Sequence, residues 1–549
     1  MPPLPDSQRS EPSGLFSVLA ILLVGGLCYL GGLSVAELDK EEARRAVPAR
    51  EMLESGNFVV PTVWERTYLT KPPLIYWTIA AVGKVRGQVD ELAVRLPSAL
   101  ATLLTALGLF VFSRRVMGAR TGLAAGLLML VSLGTFEKGA LGELEASLAL
   151  YVFAASAFLW LALDDSSGRL LRSAFTLLTC VALAAAAMIK GPVALLFYGA
   201  AVVGVAVSRR QPRLVLRAAC WLPVIACLAA LGMWAAMAVA RVGSDLALGV
   251  WSGELARAND SGPGNYLKDR LTLIVGVLAA FFPGSLLCLS AWFGRRRSTP
   301  DASTAAPATE GEAPVLRFLA VALVVSLGFF VLQPGVRPRF CYPALPWCAL
   351  LGGHLLVRAL ATPGLVHRAV RCLAAVVTLI AVVLVVLGLA LHAMPIADLE
   401  PFDSLGHLLV SVLAVAVVWT LSQLRKPVTS ALLIGPLVIL IGARLVQTTQ
   451  FVPQENAQRP KQTFGAELDA LVPEGDVIDL RFWGGFNELS YTARRLVFSE
   501  PPEPIGGQRF VLALASQIAM LRASTDRELV EVAELRLIKG TEVRLLEVR

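Results

Sequence analysis

Residues 15–34 read LFSVLAILLVGGLCYLGGLS, twenty positions without a charged side chain. A helix rising about 1.5 Å per residue needs roughly 20 apolar residues to cross the ~30 Å hydrocarbon core of a bilayer. Runs of comparable length recur near 93–113, 120–135, 145–163, 173–189, 191–207, 218–240, 271–293, 315–333, 340–357, 370–393, 405–422 and 429–447. They predict an all-α polytopic membrane protein with about thirteen transmembrane helices. Composition agrees: 56% of residues are hydrophobic and 16% charged, with a mean hydropathy of +0.66, which excludes an ordinary soluble domain. The first run follows a polar N-terminus and lacks a small-residue cleavage site, so it reads as a retained anchor.

The eight cysteines lie in or beside apolar runs and form neither a disulfide framework nor a zinc motif. The net charge of +8 does not indicate a nucleic-acid partner, because most arginines sit at span ends, where anionic lipid and membrane orientation account for them. Alternate short loops carry seventeen Lys and Arg residues, including Arg114, Arg115, Arg172, Arg209, Arg217, Arg371 and Lys426; the intervening short loops carry eight. That bias predicts a cytoplasmic N-terminus and, after thirteen spans, a C-terminus outside.

Two regions then face outward: residues 35–92, the first loop, and residues 448–549, which follow the membrane domain formed by residues 1–447. The tail reads as a small α/β domain, with strands expected at 476–482, 495–500, 509–515, 529–537 and 542–549 and helices at 462–472 and 516–524. Residues 297–314 read as a low-complexity linker on the cytoplasmic side.

The first loop and its exit, residues 37–98, read ELDKEEARRAVPAREMLESGNFVVPTVWERTYLTKPPLIYWTIAAVGKVRGQVDELAVRLPS. The acidic start, the helical stretch from Ala43 to Glu54, and Tyr68 and Lys71 before Pro72-Pro73 suggest amphipathic helices on the outer membrane surface; a solvated loop with ordinary charges is the plainer alternative. The order EEARRAVPAREMLESGNFVVP, YLTKPPLIYW and RLPS resembles the first periplasmic loop of the bacterial aminoarabinose transferase family, relatives of the protein O-mannosyltransferases. KGPVAL at 190–195 and RPRFCYPALP at 337–346 resemble later landmarks of that family, in order. The resemblance implies the multi-span C-type glycosyltransferase fold and sugar transfer from a polyprenyl phosphate at the bacterial inner membrane.

Departures from the family pattern fall on its acids. Where the family has Asp-Glu-x-Arg, this chain has Glu41, Glu42, Ala43 and Arg44; its second acid aligns with Glu145; and Thr70 stands where an acid often precedes Lys-Pro. Asp39 lies two residues before Glu41, so the essential carboxylate could be shifted in register. By the resemblance Glu41 is the general base, with Glu42 beside it, and direct displacement implies inversion. The leaving phosphate calls for cations, for which Arg44, Lys71, Lys190 and Arg339 are the candidates, with Tyr68 and Glu145 completing the substrate-binding set. Arg44 could instead merely pair with Glu41 or Glu42, and Lys190 could merely snorkel. A divalent ion bridged by Glu41 and Glu145 is an option, since carboxylates suit hard cations. Glu254 and Arg257 are further loop candidates for sugar contact.

The implied partners are a polyprenyl-phosphate-linked sugar, a lipid, glycan or protein acceptor, and membrane lipid. Two rivals remain from the residues themselves: a lipid or sugar flippase, and a catalytically impaired lipid-binding homologue. The flippase is disfavoured because acids gather in loops and not within spans.

Overall fold

The computed structural model describes residues 11–259, 266–297, 312–333, 335–361, 365–393, 403–426, 428–458, 461–500, 503, 505, 507–537 and 540–549. The chain divides into two compact units. One comprises Met1–Gly32, Leu96–Ala236 and Trp251–Gln450; the other comprises Leu33–Arg95, Met237–Val250 and Phe451–Arg549.

The first unit is helical and built for hydrocarbon. Among the described residues of the chain, nine helices are long and apolar enough to cross a bilayer, or ten if the pair Leu267–Ala280 and Gly284–Phe293, bent by 107°, counts as one span. The other three of the thirteen expected runs form the shorter apolar helices Gly14–Tyr29, Ala119–Leu130 and Val193–Ser208. A 16-residue helix such as Gly14–Tyr29 measures only about 24 Å, short of the ~30 Å core, which is why run length in the sequence and helix length in the fold give different counts.

Outward-facing Leu177, Val181, Ile225 and Leu228 are exposed, the reverse of a soluble domain, as expected where lipid replaces water. Inside, helices approach closely through small residues. A Cβ at Gly353 would lie 2.7 Å from the Ala125 backbone nitrogen, and one at Gly204 would lie 2.8 Å from the Phe318 carbonyl oxygen.

Helices Glu145–Ala162 and Arg169–Lys190 form a hairpin closed by residues 163–168. At the closed end Arg217 grips Asp165 through two contacts of 2.8 and 2.9 Å, and Arg209 donates to the Leu163 and Trp160 carbonyls. The open end, a helix length of about 27 Å away, brings Glu145 and Lys190 together. Charge is thus gathered at the two ends of this hairpin, Asp165 with Arg217 at its turn and Glu145 with Lys190 at its mouth.

The second unit combines the first loop with the tail, so the tail is not grouped by itself. Helix Lys40–Ser55 begins at Asp39, whose backbone N–H donates to Glu42 Oε2 at 3.3 Å, and ends at Gly56, whose φ of +69° suits glycine. Helix Leu74–Arg86 starts after Pro73, which sets its entry, and stops at Gly87. The tail carries a five-stranded mixed sheet in the order Arg495–Phe498, Val477–Leu480, Phe510–Leu514, Glu542–Val548, Leu529–Arg536. The first three strands are parallel and the last two pairings antiparallel. Helices Lys461–Leu471 and Ile518–Ala523 form at the two tail stretches read as helical.

Within this unit the tail holds the start of the first loop. The Tyr491 hydroxyl accepts from the Leu38 backbone N–H at 2.5 Å and donates to Glu91 Oε1 at 2.9 Å. Asn487 Nδ2 donates to Asp39 Oδ1 at 2.8 Å, the Lys461 backbone N–H to Glu37 Oε2 at 2.7 Å, and Arg50 Nη1 to the Ser490 carbonyl at 3.1 Å.

Candidate active site

Helix Lys40–Ser55 separates its two consecutive acids by function. Glu41 is partly open, its side chain 27% exposed, and its Oε2 accepts from Arg45 Nη2 at 3.0 Å, while Arg44 Nη1 stands 3.9 Å from Oε1. Glu42 points into the unit and is 2% exposed. Arg95 meets it with both edges of its fork, Nε to Oε1 at 2.8 Å and Nη2 to Oε2 at 2.7 Å. Arg95 also donates from Nη1 to the Leu33 and Ala36 carbonyls and from Nη2 to the Glu37 carbonyl, so its five N–H donors are all engaged in closing the loop entrance. Glu42, expected beside Glu41 as a catalytic acid, is buried in its pair with Arg95, whereas the Glu41 carboxylate is partly open.

Arg45, which no motif in the sequence singles out, orients Glu41. It is 5% exposed, and besides holding Glu41 it donates from Nη1 to the Tyr76 hydroxyl at 3.2 Å. Burial alone would lower its proton affinity; the surrounding Tyr76, Tyr68 and Glu41 outweigh that and raise it, so the guanidinium stays charged. Burial likewise pushes the Tyr76 phenol up to about 12. Tyr68 thus lies within electrostatic reach of this group and is half-buried. Lys71 is half-buried where Pro72 and Pro73 fix the backbone, and its Nζ donates to the Thr70 carbonyl at 3.0 Å.

The far end of the same helix holds a hairpin. Strands Thr62–Val63 and Arg66–Thr67 are joined by Trp64 and Glu65, both in the left-handed region at φ +52° and +64° although neither is glycine. The Glu51 carboxylate stabilises this turn by accepting from the Thr62 hydroxyl, from the Trp64 N–H at 2.6 Å and from the Glu65 N–H at 3.4 Å.

The membrane unit has its own polar cluster. Glu145 is 4% exposed and bonded to Lys190 Nζ at 2.9 Å, so Lys190, itself half-buried, is the ion-pair partner of a buried acid and does more than snorkel. Lys190 Nζ also lies 4.6 Å from the centroid of the Phe340 ring, over which Arg339 stands at 5.7 Å. Glu143 accepts from Lys138 at 3.1 Å, and Lys138 lies 3.2 Å from Glu137. Burial, followed by the neighbouring Glu145 charge, pushes the Glu143 carboxyl up, against the opposing pull of Lys138 and Arg339. Glu143 and Lys138 were missed from the sequence; the two acids within LGELE, Glu143 and Glu145, were the available signal.

The structure thus brings Glu41, Arg44 and Tyr68 together with Arg45 and Tyr76 in one unit, and Glu145, Lys190 and Arg339 together in the other. Glu41 and Glu145, the acids expected to hold a divalent ion, fall in different units, and each faces a cation of its own. Glu145 is neutralised by Lys190 and Glu41 by Arg45, and no group of three His, Cys, Asp or Glu among the described residues could hold a metal. The side chains of Glu254 and Arg257 lie outside the described residues.

With this geometry in view, comparison with known proteins is informative. A family model described as dolichyl-phosphate-mannose-protein mannosyltransferase matches residues 70–235. The undecaprenyl phosphate-alpha-4-amino-4-deoxy-L-arabinose arabinosyl transferase of Pseudomonas aeruginosa is 30% identical over 348 residues, covering 62% of this chain and 59% of that protein. Its namesake in Edwardsiella ictaluri is 32% identical over 158 residues, 29% of this chain and 28% of that one. The chain therefore spans about three fifths of the length of the first of these relatives. The crystal structure of ArnT from Cupriavidus metallidurans bound to undecaprenyl phosphate matches with a TM-score of 0.70 at 17% identity, over 97% of each chain. The chain has the fold of ArnT, and its sequence is similar to the aminoarabinose transferases and, across residues 70–235, to the protein mannosyltransferases, as the first loop indicated.

Proposed function

We propose that this chain is a membrane glycosyltransferase that moves a sugar from polyprenyl phosphate, with undecaprenyl phosphate the favoured carrier, to a lipid A, glycan or protein acceptor on the periplasmic face of the bacterial inner membrane. The observation that carries the reading is Glu41: a partly exposed carboxylate oriented by a buried arginine, on the loop whose order of motifs matches the family, in a chain with the fold of a protein crystallised with undecaprenyl phosphate.

The acceptor hydroxyl gives its proton to Glu41 as its oxygen forms a bond to the sugar's anomeric carbon. The bond from that carbon to phosphate oxygen breaks, and polyprenyl phosphate leaves with the electron pair. One base suffices and the configuration inverts, because no sugar–enzyme intermediate intervenes. Arg44 and Lys71 are proposed to stabilise the charge on the phosphate, with Tyr68 lining the same loop. In the other unit, Lys190 and Arg339 are proposed as further substrate-binding cations, with Glu145 orienting Lys190.

Lys71 gives the direct test of carrier binding. Removing one charge-assisted contact costs about 1.5–3 kcal/mol, equivalent to roughly ten- to hundredfold. Titrating protein in nanodiscs with undecaprenyl phosphate, Lys71→Ala should bind that much more weakly and Lys71→Arg should keep a share of the affinity. Equal affinity in wild type and Lys71→Ala would reduce the Lys-Pro-Pro element to a surface anchor. Mass spectrometry of envelope glycolipids from a deletion strain and its parent would then identify the acceptor.

The loop-charge bias supports an N-terminus in the cytoplasm and a tail in the periplasm. A reporter active only in the cytoplasm, fused after Arg549, should stay silent; a strong signal would reverse the orientation and remove the site from the face proposed for it.

A further inference from the structure

The hairpin tip of the first loop meets an aromatic cluster that the transfer chemistry leaves unused. Trp64, 1% exposed, stacks on Phe486 with centroids 4.6 Å apart. Trp483 meets Trp64 and Phe486 edge to face at 5.5 Å each, and Phe498 at 5.2 Å, yet remains 43% exposed. Arg66 lies 5.5 Å over Trp483 and 5.1 Å over Phe498, and pairs with Glu500 at 3.3 Å. Across the cluster Arg44 stands 4.6 Å over Phe486 and 3.9 Å from Glu41, so an unbroken line of contacts runs from Trp483 through Phe486 to the candidate base.

Tryptophan is usually well covered, and here three rings and two left-handed residues at the turn hold one partly open. The matching ligand has an apolar face and a polar rim. A pyranose ring offers C–H groups to the indole, hydroxyl oxygens to the guanidinium and hydroxyl hydrogens to the carboxylate. A lipid surface is the other occupant an exposed tryptophan suits. It is disfavoured because the rim is charge-balanced, Arg66 pairing with Glu500 and Arg495 with Glu65, and so lacks the unpaired basic cluster that draws a surface to anionic headgroups.

We propose that Trp483, with Arg66 and Glu500 at its rim, is a saccharide subsite that seats the acceptor, placing one of its hydroxyls toward Glu41. The acceptor class that follows is a sugar-bearing molecule and not a bare lipid or peptide. This deepens the reading of Glu41 as the base and rests on it.

The test measures binding without turnover. The full chain in nanodiscs is titrated with a panel of neutral and phosphorylated glucose-, glucosamine- and mannose-based disaccharides, read by saturation-transfer NMR and calorimetry. At least one should bind through its ring C–H protons, Trp483→Ala should weaken it roughly tenfold, and Trp483→Phe, which preserves the cluster, should retain most of it. Undecaprenyl phosphate affinity should be unchanged in both variants. No binding to wild type by any disaccharide at millimolar concentration, or equal binding to Trp483→Ala, would overturn the proposal. So would quenching by brominated phospholipids of the fluorescence that Trp483→Phe removes, which would place the ring at the bilayer. A protein that binds disaccharide through Trp483 but transfers no sugar keeps the subsite and loses the glycosyltransferase reading, so the two failures are distinguishable.

Discussion

Glu41→Gln is expected to lower sugar transfer by roughly 10²–10⁴ while leaving insertion and folding intact. The amide keeps the size of the carboxylate and can still accept from Arg45, but it takes no proton at neutral pH. Arg45 keeps its Tyr76 contact, so the buried guanidinium is not stripped of partners. Transfer by purified protein is the measurement, with the melting temperature as control. Asp39→Asn should retain most activity, because Asp39 is 58% exposed and engaged with Asn487 and Lys461 of the tail. Full activity in Glu41→Gln with loss in Asp39→Asn would move the base two residues upstream. Activity in both would end the general-base proposal.

Glu42→Gln should behave in the opposite way and show as lost stability. It leaves Arg95, 4% exposed, without a charge to answer its own, and breaking such a buried pair costs about 3–5 kcal/mol. The expected result is a large fall in melting temperature and faster tryptic cleavage at Arg44 and Arg45. Replacing both partners, Glu42→Leu with Arg95→Met, should recover only the part due to the unpaired charge, since the Leu33, Ala36 and Glu37 carbonyls then lose their donor. A normal melting temperature with abolished transfer would return Glu42 to the chemistry.

The membrane character of the fold was readable because hydropathy is local: each of the thirteen apolar runs corresponds to a helix, or to the bent pair at 267–293. The tail strands formed at the stretches where β-branched and apolar residues cluster between turn signals. Arg44 illustrates a choice that spacing alone left open, since three positions on a helix from Glu41 allow both an ion pair and a phosphate ligand. The partnerships that define the loop were not readable. Glu42 and Arg95 lie 53 positions apart, and Leu38 and Tyr491 lie 453 apart, and no periodicity encodes such meetings. Arg95 did carry a signal, being a charge inside an otherwise apolar run, where an ionisable residue marks a purpose.

The grip of Tyr491, Asn487 and Lys461 on residues 37–39 bears on the order of biosynthesis. In chain order the segment bearing Glu41 precedes its clamps by more than four hundred residues. Closing a loop of more than four hundred residues waits on all the spans between, so helix Lys40–Ser55 is made long before its anchors exist. A stalled or clipped copy can have every span inserted and residues 37–39 still unheld. The tail is thereby a late condition on the order of the loop: a half-made molecule lacks the contacts that fix the segment just before Glu41.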